Sequence, residues 1–240
     1  MNYYIHCIII SSLLLALSNR CNAQAELPAI SPTATYTTND GSTEETENMS
    51  GSAPIVGVFR ANPSFTDGWS ANYEWRFTRE GEQQPWLIRY EEDTEVTFND
   101  YGMTQIVCYA TFTNGTDSIV YGEEYWATEL TPFTCSIASS KLEMPNAFSP
   151  NGDGINDIYQ AKTGWQSIVE FHAIIFNRWG QKLFEWDNPA AGWDGTHNGK
   201  PVKDGVYYCL VKARGADGIK YNIKRDVNLL RGYKETTSGN

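Results

Sequence analysis

Lysine is absent between residues 26 and 140. Four arginines there face eighteen aspartates and glutamates, a net of −14, whereas residues 141–240 hold thirteen lysines and arginines against eleven acids, a net of +2. The acidic half repels phosphodiester backbones and anionic headgroups, and the back half has no basic stripe to attract them. Nucleic acid is excluded as a partner. Histidine is scarce as well, with His6, His172 and His197 the only three. That leaves no material for a histidine-rich metal centre and deprives a serine or cysteine nucleophile of its usual base. No Gly-x-Ser-x-Gly, Walker or dinucleotide motif is present, so no cofactor and no catalytic residue is assigned, and the chain reads as a non-enzyme. The acid run Glu91–Glu95 reads as a solvated face rather than a glycosidase pair.

Long apolar runs are also missing. The longest near the N-terminus, Cys7–Leu17, has eleven residues, short of the ~20 needed to cross a bilayer as a helix. Followed by a polar stretch with Arg20 and then Ala23-Gln24-Ala25, it reads as a secretory signal peptide over 1–25, cleaved before Gln24 or Glu26. Arg20 directly before Cys21 speaks against a lipidated cysteine. No later segment is apolar enough to span a membrane. Of five cysteines, Cys108, Cys135 and Cys209 lie beyond the leader, and no two have Cys-x-x-Cys spacing. Export permits a disulfide. Cys108 sits on the inward phase of its strand, and a bridge to Cys135 would close a loop of about 27 residues, worth roughly 3–4 kcal/mol.

What is present is aromatic and turn-rich: eight Trp, fourteen Tyr, ten Phe and twenty Gly. Residues 26–52 are polar and aperiodic and read as a flexible leader. Residues 53–138 hold short alternating runs split by Gly, Asn and Asp: Pro54–Phe59, Ala71–Phe77, Trp86–Tyr90, Glu95–Phe98, Gln105–Phe112, Ser118–Tyr121, Tyr125–Thr128 and Phe133–Ile137. Residues 144–233 give four more candidates, Ile168–Asn177, Lys182–Trp186, Gly205–Arg214 and Tyr221–Leu230, and 234–240 is a polar tail. With no ten-residue helical pattern anywhere, the fold class expected is all-β, two antiparallel Ig-like sandwiches after a signal peptide and leader. The run Ala173–Phe176 suggests a central strand covered on both faces.

Two stretches carry resemblances. Tyr73-Glu74-Trp75 and the corner Phe98-Asn99-Asp100-Tyr101-Gly102 resemble the PKD and Ig-like domains of exported bacterial proteins, without the inter-sheet disulfide of a variable-type Ig domain. The back half carries, in order, Pro145–Tyr159 (PNAFSPNGDGINDIY), Ile174–Phe184 (IIFNRWGQKLF), Trp193–Lys200 (WDGTHNGK), Val202–Val211 (VKDGVYYCLV) and Asn228–Arg231 (NLLR). This set resembles the gliding motility-associated C-terminal domain of Bacteroidota, the type B sorting domain of type IX secretion. The resemblance implies export through the periplasm and across the outer membrane, recognition by the type IX machinery, and a secreted or cell-surface location. Its motif residues here are Asn151, Gly152, Asp153, Gly154, Asn156, Asp157, Asn177, Arg178, Trp179, Gly180, Trp193, Asp194, Gly195, Asn198, Gly199, Gly205 and Tyr207. Cys209 replaces the aromatic usual in the family, and nine residues follow Arg231.

Read without the family, Asn151–Gly154 suits a tight turn with positive φ, and Asp194-Gly195 and Asn198-Gly199 are turn pairs. Asn177–Gly180 joins two strands, with Trp179 available to cover one end of the sandwich and Arg178 to pair with a carboxylate or a partner. Asn151, Asp153 and Asp157 also form a calcium candidate in an EF-hand-like register, with few carboxylates and Gln160 at the last position, so no metal is assigned. Trp69, Trp86 and Trp126 exceed what one core needs beside Trp75. If their rings are exposed and coplanar they form a glycan- or protein-binding face; if buried they are scaffold.

Overall fold

The computed structural model describes residues 26–115 and 117–232. The expected signal peptide (1–25) and polar tail (234–240) lie outside the described residues. Among the described residues, nineteen strands and one short helix make two β-domains.

The first domain packs two sheets. One has the order β2-β1-β4-β7, from Thr33–Thr37 (β1), Thr43–Glu45 (β2), Ile55–Arg60 (β4) and Asp93–Phe98 (β7). The other has the order β3-β10-β8-β5-β6, from Asn48–Gly51 (β3), Ser70–Arg79 (β5), Leu87–Arg89 (β6), Gly102–Asn114 (β8) and Phe133–Ile137 (β10), with Asp117–Tyr121 (β9) paired to β8. Strict alternation drives this: β5 buries Tyr73, Trp75 and Phe77, and β8 buries Ile106, Cys108, Ala110 and Phe112. Phe59 is at the centre, with ring centroids of Tyr36, Trp75 and Phe77 at 5.7, 5.7 and 5.4 Å. Burying a ring of that size contributes roughly 2–3 kcal/mol.

Two expectations are corrected here. Residues 26–52 are not a loose leader: they supply β1, β2 and β3, with Ala34, Tyr36 and Met49 in the core. Two or three apolar side chains among many Thr and Glu suffice because β1 pairs with β4 along five positions. Second, Tyr125–Thr128 is not a strand but part of helix α1, Glu123–Thr128, whose first turn carries Glu123 and Glu124 where negative charge suits the helix dipole. The expected all-β class with antiparallel sheets stands, with β3–β10 a parallel pair within it.

The second domain is built on one five-stranded sheet, order β11-β19-β18-β13-β14. Its members are Ala147–Phe148 (β11), Ile168–Phe176 (β13), Lys182–Trp186 (β14), Gly205–Gly215 (β18) and Lys220–Leu229 (β19). The pair β11–β19 is parallel and the others antiparallel. Two small ladders complete the domain: Tyr159–Gln160 (β12) with Gly192–Trp193 (β15), which puts Tyr159 and Trp193 into the core, and Thr196–His197 (β16) with Lys200–Pro201 (β17), bonded to β14 through His197. Phe148, Tyr159, Trp186, Trp193, Tyr207, Cys209 and Val211 fill the space between. The core starts at Leu142, which with Met144 is buried, two residues ahead of the expected boundary. Strand β13 is covered on one face only. Phe171, Ala173 and Ile175 are buried, while Ile174 and Phe176 point outward and are half-buried.

The two domains touch. Ala53 N–H donates to Ser167 Oγ at 3.2 Å, Ser167 N–H to Ser52 Oγ at 2.5 Å, and Tyr101 N–H to the Ala216 carbonyl at 3.0 Å. Ala216 belongs to the first domain's core, and Val169 packs against it. Ser140, in the connection, is held by Asp217 through both N–H and hydroxyl at 2.7 Å.

Candidate functional site

Register places the motif residues. Strand β18 pairs Gly205 with Leu229 at one end and Arg214 with Lys220 at the other, and β13 brings Phe176 opposite Tyr208. The ends of β11, β13 and β19 and the start of β18 therefore coincide, and the loops 149–157, 177–181, 202–204 and 229–231 emerge together. The Asp194–Gly195 turn joins them, since a Cβ on Gly195 would stand 3.0–3.1 Å from Arg231, Leu229 and Pro150. The domain junction at Ser167 and Ala216 lies at the opposite end, ten residues along β18 from Gly205, roughly 33 Å away.

Each loop is closed by its own polar atoms. Asp157 accepts the N–H groups of Gly152 and Gly154 at 2.8 Å and of Asn151 at 2.9 Å, and these backbone donors, Gly152 and Gly154 foremost, hold its carboxyl below the usual range. Asp153 accepts Ile155 N–H and the Asn151 side-chain amide, both at 2.9 Å. Gly152 and Gly154 have φ of 81° and 85°, the positive values a tight turn requires, and Asn156 has φ 54°. The carboxylates of the calcium candidate are thus occupied by backbone donors, which a cation would have to displace. Among the described residues no group of three or more His, Cys, Asp or Glu is placed to hold a metal ion.

In the next turn Asp194 accepts Thr196 N–H at 2.9 Å and its hydroxyl at 2.8 Å, and Trp193 Nε1 donates to the Thr196 carbonyl at 2.7 Å. Asn198 and Gly199 both have positive φ, 51° and 74°, as a two-residue hairpin turn demands. Tyr207 is buried, and its hydroxyl donates to the Lys203 carbonyl at 2.6 Å. Arg231 ties the group: its guanidinium donates to the carbonyls of Gly195 (2.7 Å) and Val202 and to Asp204 at 3.2 Å, while its N–H meets Asp204 at 3.0 Å. Sequence reasoning quoted Arg231 within the NLLR stretch without a role. No local signal gives that role, because its partners Asp204, Val202 and Gly195 lie 27, 29 and 36 residues away in sequence.

Trp179 departs from expectation. It does not cover the sandwich: it is 79% exposed, with the Arg178 guanidinium 4.7 Å from its ring centroid. Asn177 explains why. Its side-chain carbonyl accepts the N–H groups of Trp179 (2.9 Å) and Gln181 (3.1 Å), tying the turn down on the backbone and leaving the indole outside.

The glycan face fails on Trp126, which is buried in the first core with Nε1 donating to the Cys108 carbonyl at 2.6 Å. Trp69 is half-buried against the same core, and Trp86, exposed, lies against Phe77 with Arg79 over its ring. The disulfide fails on register. Cys135 is opposite Thr104, so Cys108 is four residues further along the ladder, roughly 14 Å, where a bridge needs Cα atoms within about 7 Å. All three thiols are free and buried; burial pushes Cys108 and Cys135 up to about 12 and Cys209 to about 11, so they stay protonated. Cys209 faces the core while His172 is on the outward face of the sheet, hydrogen-bonded to Asp187 at 2.5 Å, so the two form no nucleophile–base pair.

No curated protein matches the chain. Among solved structures, the FN1–FN3 domains of chicken CNTN1 align at 9% identity and TM-score 0.29, over 75% of this chain and 62% of that one. The chain thus spans under two thirds of that structure's length. A tetra-tandem repeat from the extending region of a large adhesion protein aligns at 10% identity and TM-score 0.26, over 86% of this chain and 68% of its own. Residues 142–224, in the second domain whose loops gather at one end, match the CHU_C type IX secretion signal domain, which supports sorting of the chain for export.

Proposed function

We propose that this is a non-enzymatic secreted or cell-surface protein whose second domain is the address read by the type IX machinery and whose first domain is the cargo, used for recognition or presentation outside the cell. One observation carries the reading. The motif loops form a single, internally braced end of the second domain, on the side away from the first domain, so that the address is presented whatever is attached at the junction. The acidic charge of the cargo half and the near-neutral balance of the address half fit two separate tasks. Export of the chain with residues 142–240 deleted tests this. The truncated chain is expected to remain inside the outer membrane, its first domain shielded from protease on intact cells, while the full chain is digested. Equal digestion of both would contradict the address assignment.

A further inference from the structure

The side chains exposed on the motif loops are mostly polar, whereas the outward face of the second sheet carries a row of apolar ones. On β18 the outward residues Val206, Tyr208 and Leu210 are 48%, 43% and 39% exposed. Across the ladder Phe176 stands opposite Tyr208 and Ile174 opposite Leu210, both half-buried on the same face. At the loop end the row runs into Trp179, which shares a cleft with Val206 and the Lys203–Gly205 turn. Six apolar side chains thus make one continuous strip from the motif end down the sheet. From Val206 to Leu210 alone it runs roughly 13 Å. Apolar side chains left in water over a contiguous strip mark a contact surface.

Two other faces of this domain are already in contact with protein, and one edge strand is partly bonded. Its inner face is the core, its Ser167 and Ala216 end holds the first domain, and β14 has its Leu183 carbonyl bonded to His197. Resting on the address reading above, we infer that the strip Trp179–Val206–Tyr208–Leu210, with Ile174 and Phe176, is the surface on which a protein component of the type IX machinery docks through apolar side chains. The occupant follows from the domain itself, because the matched segment is a secretion signal and its strip is continuous with the motif loops.

The test uses the full chain expressed with its own N-terminus in a type IX-competent strain. Tyr208→Thr and Leu210→Thr together remove the apolar row while keeping strand-favouring residues. Delivery to the surface, read by protease accessibility of the first domain, is expected to fall at least tenfold, with the variant accumulating in the periplasm at an unchanged melting temperature. Tyr208→Phe is expected to deliver normally. Tyr90→Thr with Val120→Thr, a more exposed apolar pair on the first domain (69% and 64%), is expected to have no effect. Normal delivery of the Tyr208→Thr/Leu210→Thr chain would overturn the docking assignment. If residues 142–240 remain necessary for export in the same assay, the address reading survives that failure; if they do not, both fall. A wild-type chain that sediments as a dimer, made monomeric by the double variant without loss of delivery, would instead make the strip a self-contact and overturn the proposal.

Discussion

At the Ser167–Ala216 end of the second domain the polar groups reach outward, to Ala53, Ser52 and Tyr101 of another domain. Toward Gly205 they turn back on their own loops, with Asp157, Asp194, Asn177 and Arg231 each satisfying neighbouring backbone. One end is a joint and the other a finished surface. The proposed address role asks for that division, because the recognised part has to hold its shape independently of what it carries. The seam between the domains is small, a few hydrogen bonds and the Ala216 and Val169 contacts, whereas the loop end is backed by Trp193, Tyr159 and Phe148 in van der Waals reach.

The comparison breaks most visibly at Trp193, which is fully buried with Phe148 and Tyr207 rings 5.3 and 5.1 Å away. Trp193→Ala is expected to cost about 3–5 kcal/mol and to unfold the loop end first. Hydrogen exchange would show protection lost around residues 149–157 and 193–204 while the first domain keeps its own. At the joint, Ser167→Ala leaves the buried Ala53 N–H without its acceptor and is expected to cost about 1–3 kcal/mol. Its signature is a change in cooperativity: calorimetry should resolve two transitions where the parent gives a more coupled one. The smallest effects separate two glycines of the loop end. Gly154 has φ 85° and open space around a Cβ, so Gly154→Ala is expected to cost roughly 1 kcal/mol of backbone strain alone. Gly195, at φ 77° with three atoms crowding a Cβ, is expected to cost roughly 1 kcal/mol more on substitution by Ala, readable as a larger fall in denaturation midpoint.

Much of the loop end was legible in sequence, because turns announce themselves locally. Asn151–Gly154 and Asn198-Gly199 are short-range chemistry, and their positive φ values follow from the residues themselves. The long alternating strands β5 and β8 were equally readable. What stayed hidden depends on distant partners. Tyr36 looks like one aromatic in a polar leader until Phe59 is beside it. Cys108 and Cys135 share an inward phase, but only the ladder register separates them. The outward exposure of Trp179 depends on Asn177 bonding its side chain into the turn, and the covered-strand reading of β13 failed because Ile174 and Phe176 are only half-buried. The segment carrying Trp126 read as a strand because a six-residue helix is too short to show its periodicity.

Sufficiency of the second domain is the most direct test of an address built independently of its cargo. Residues 142–240 fused behind a signal-peptide-bearing reporter unrelated to the first domain should carry that reporter to the surface, where protease digests it on intact cells. A type IX-deficient strain should keep it protected in the periplasm. A reporter retained inside in both strains, or exposed equally in both, would contradict the account.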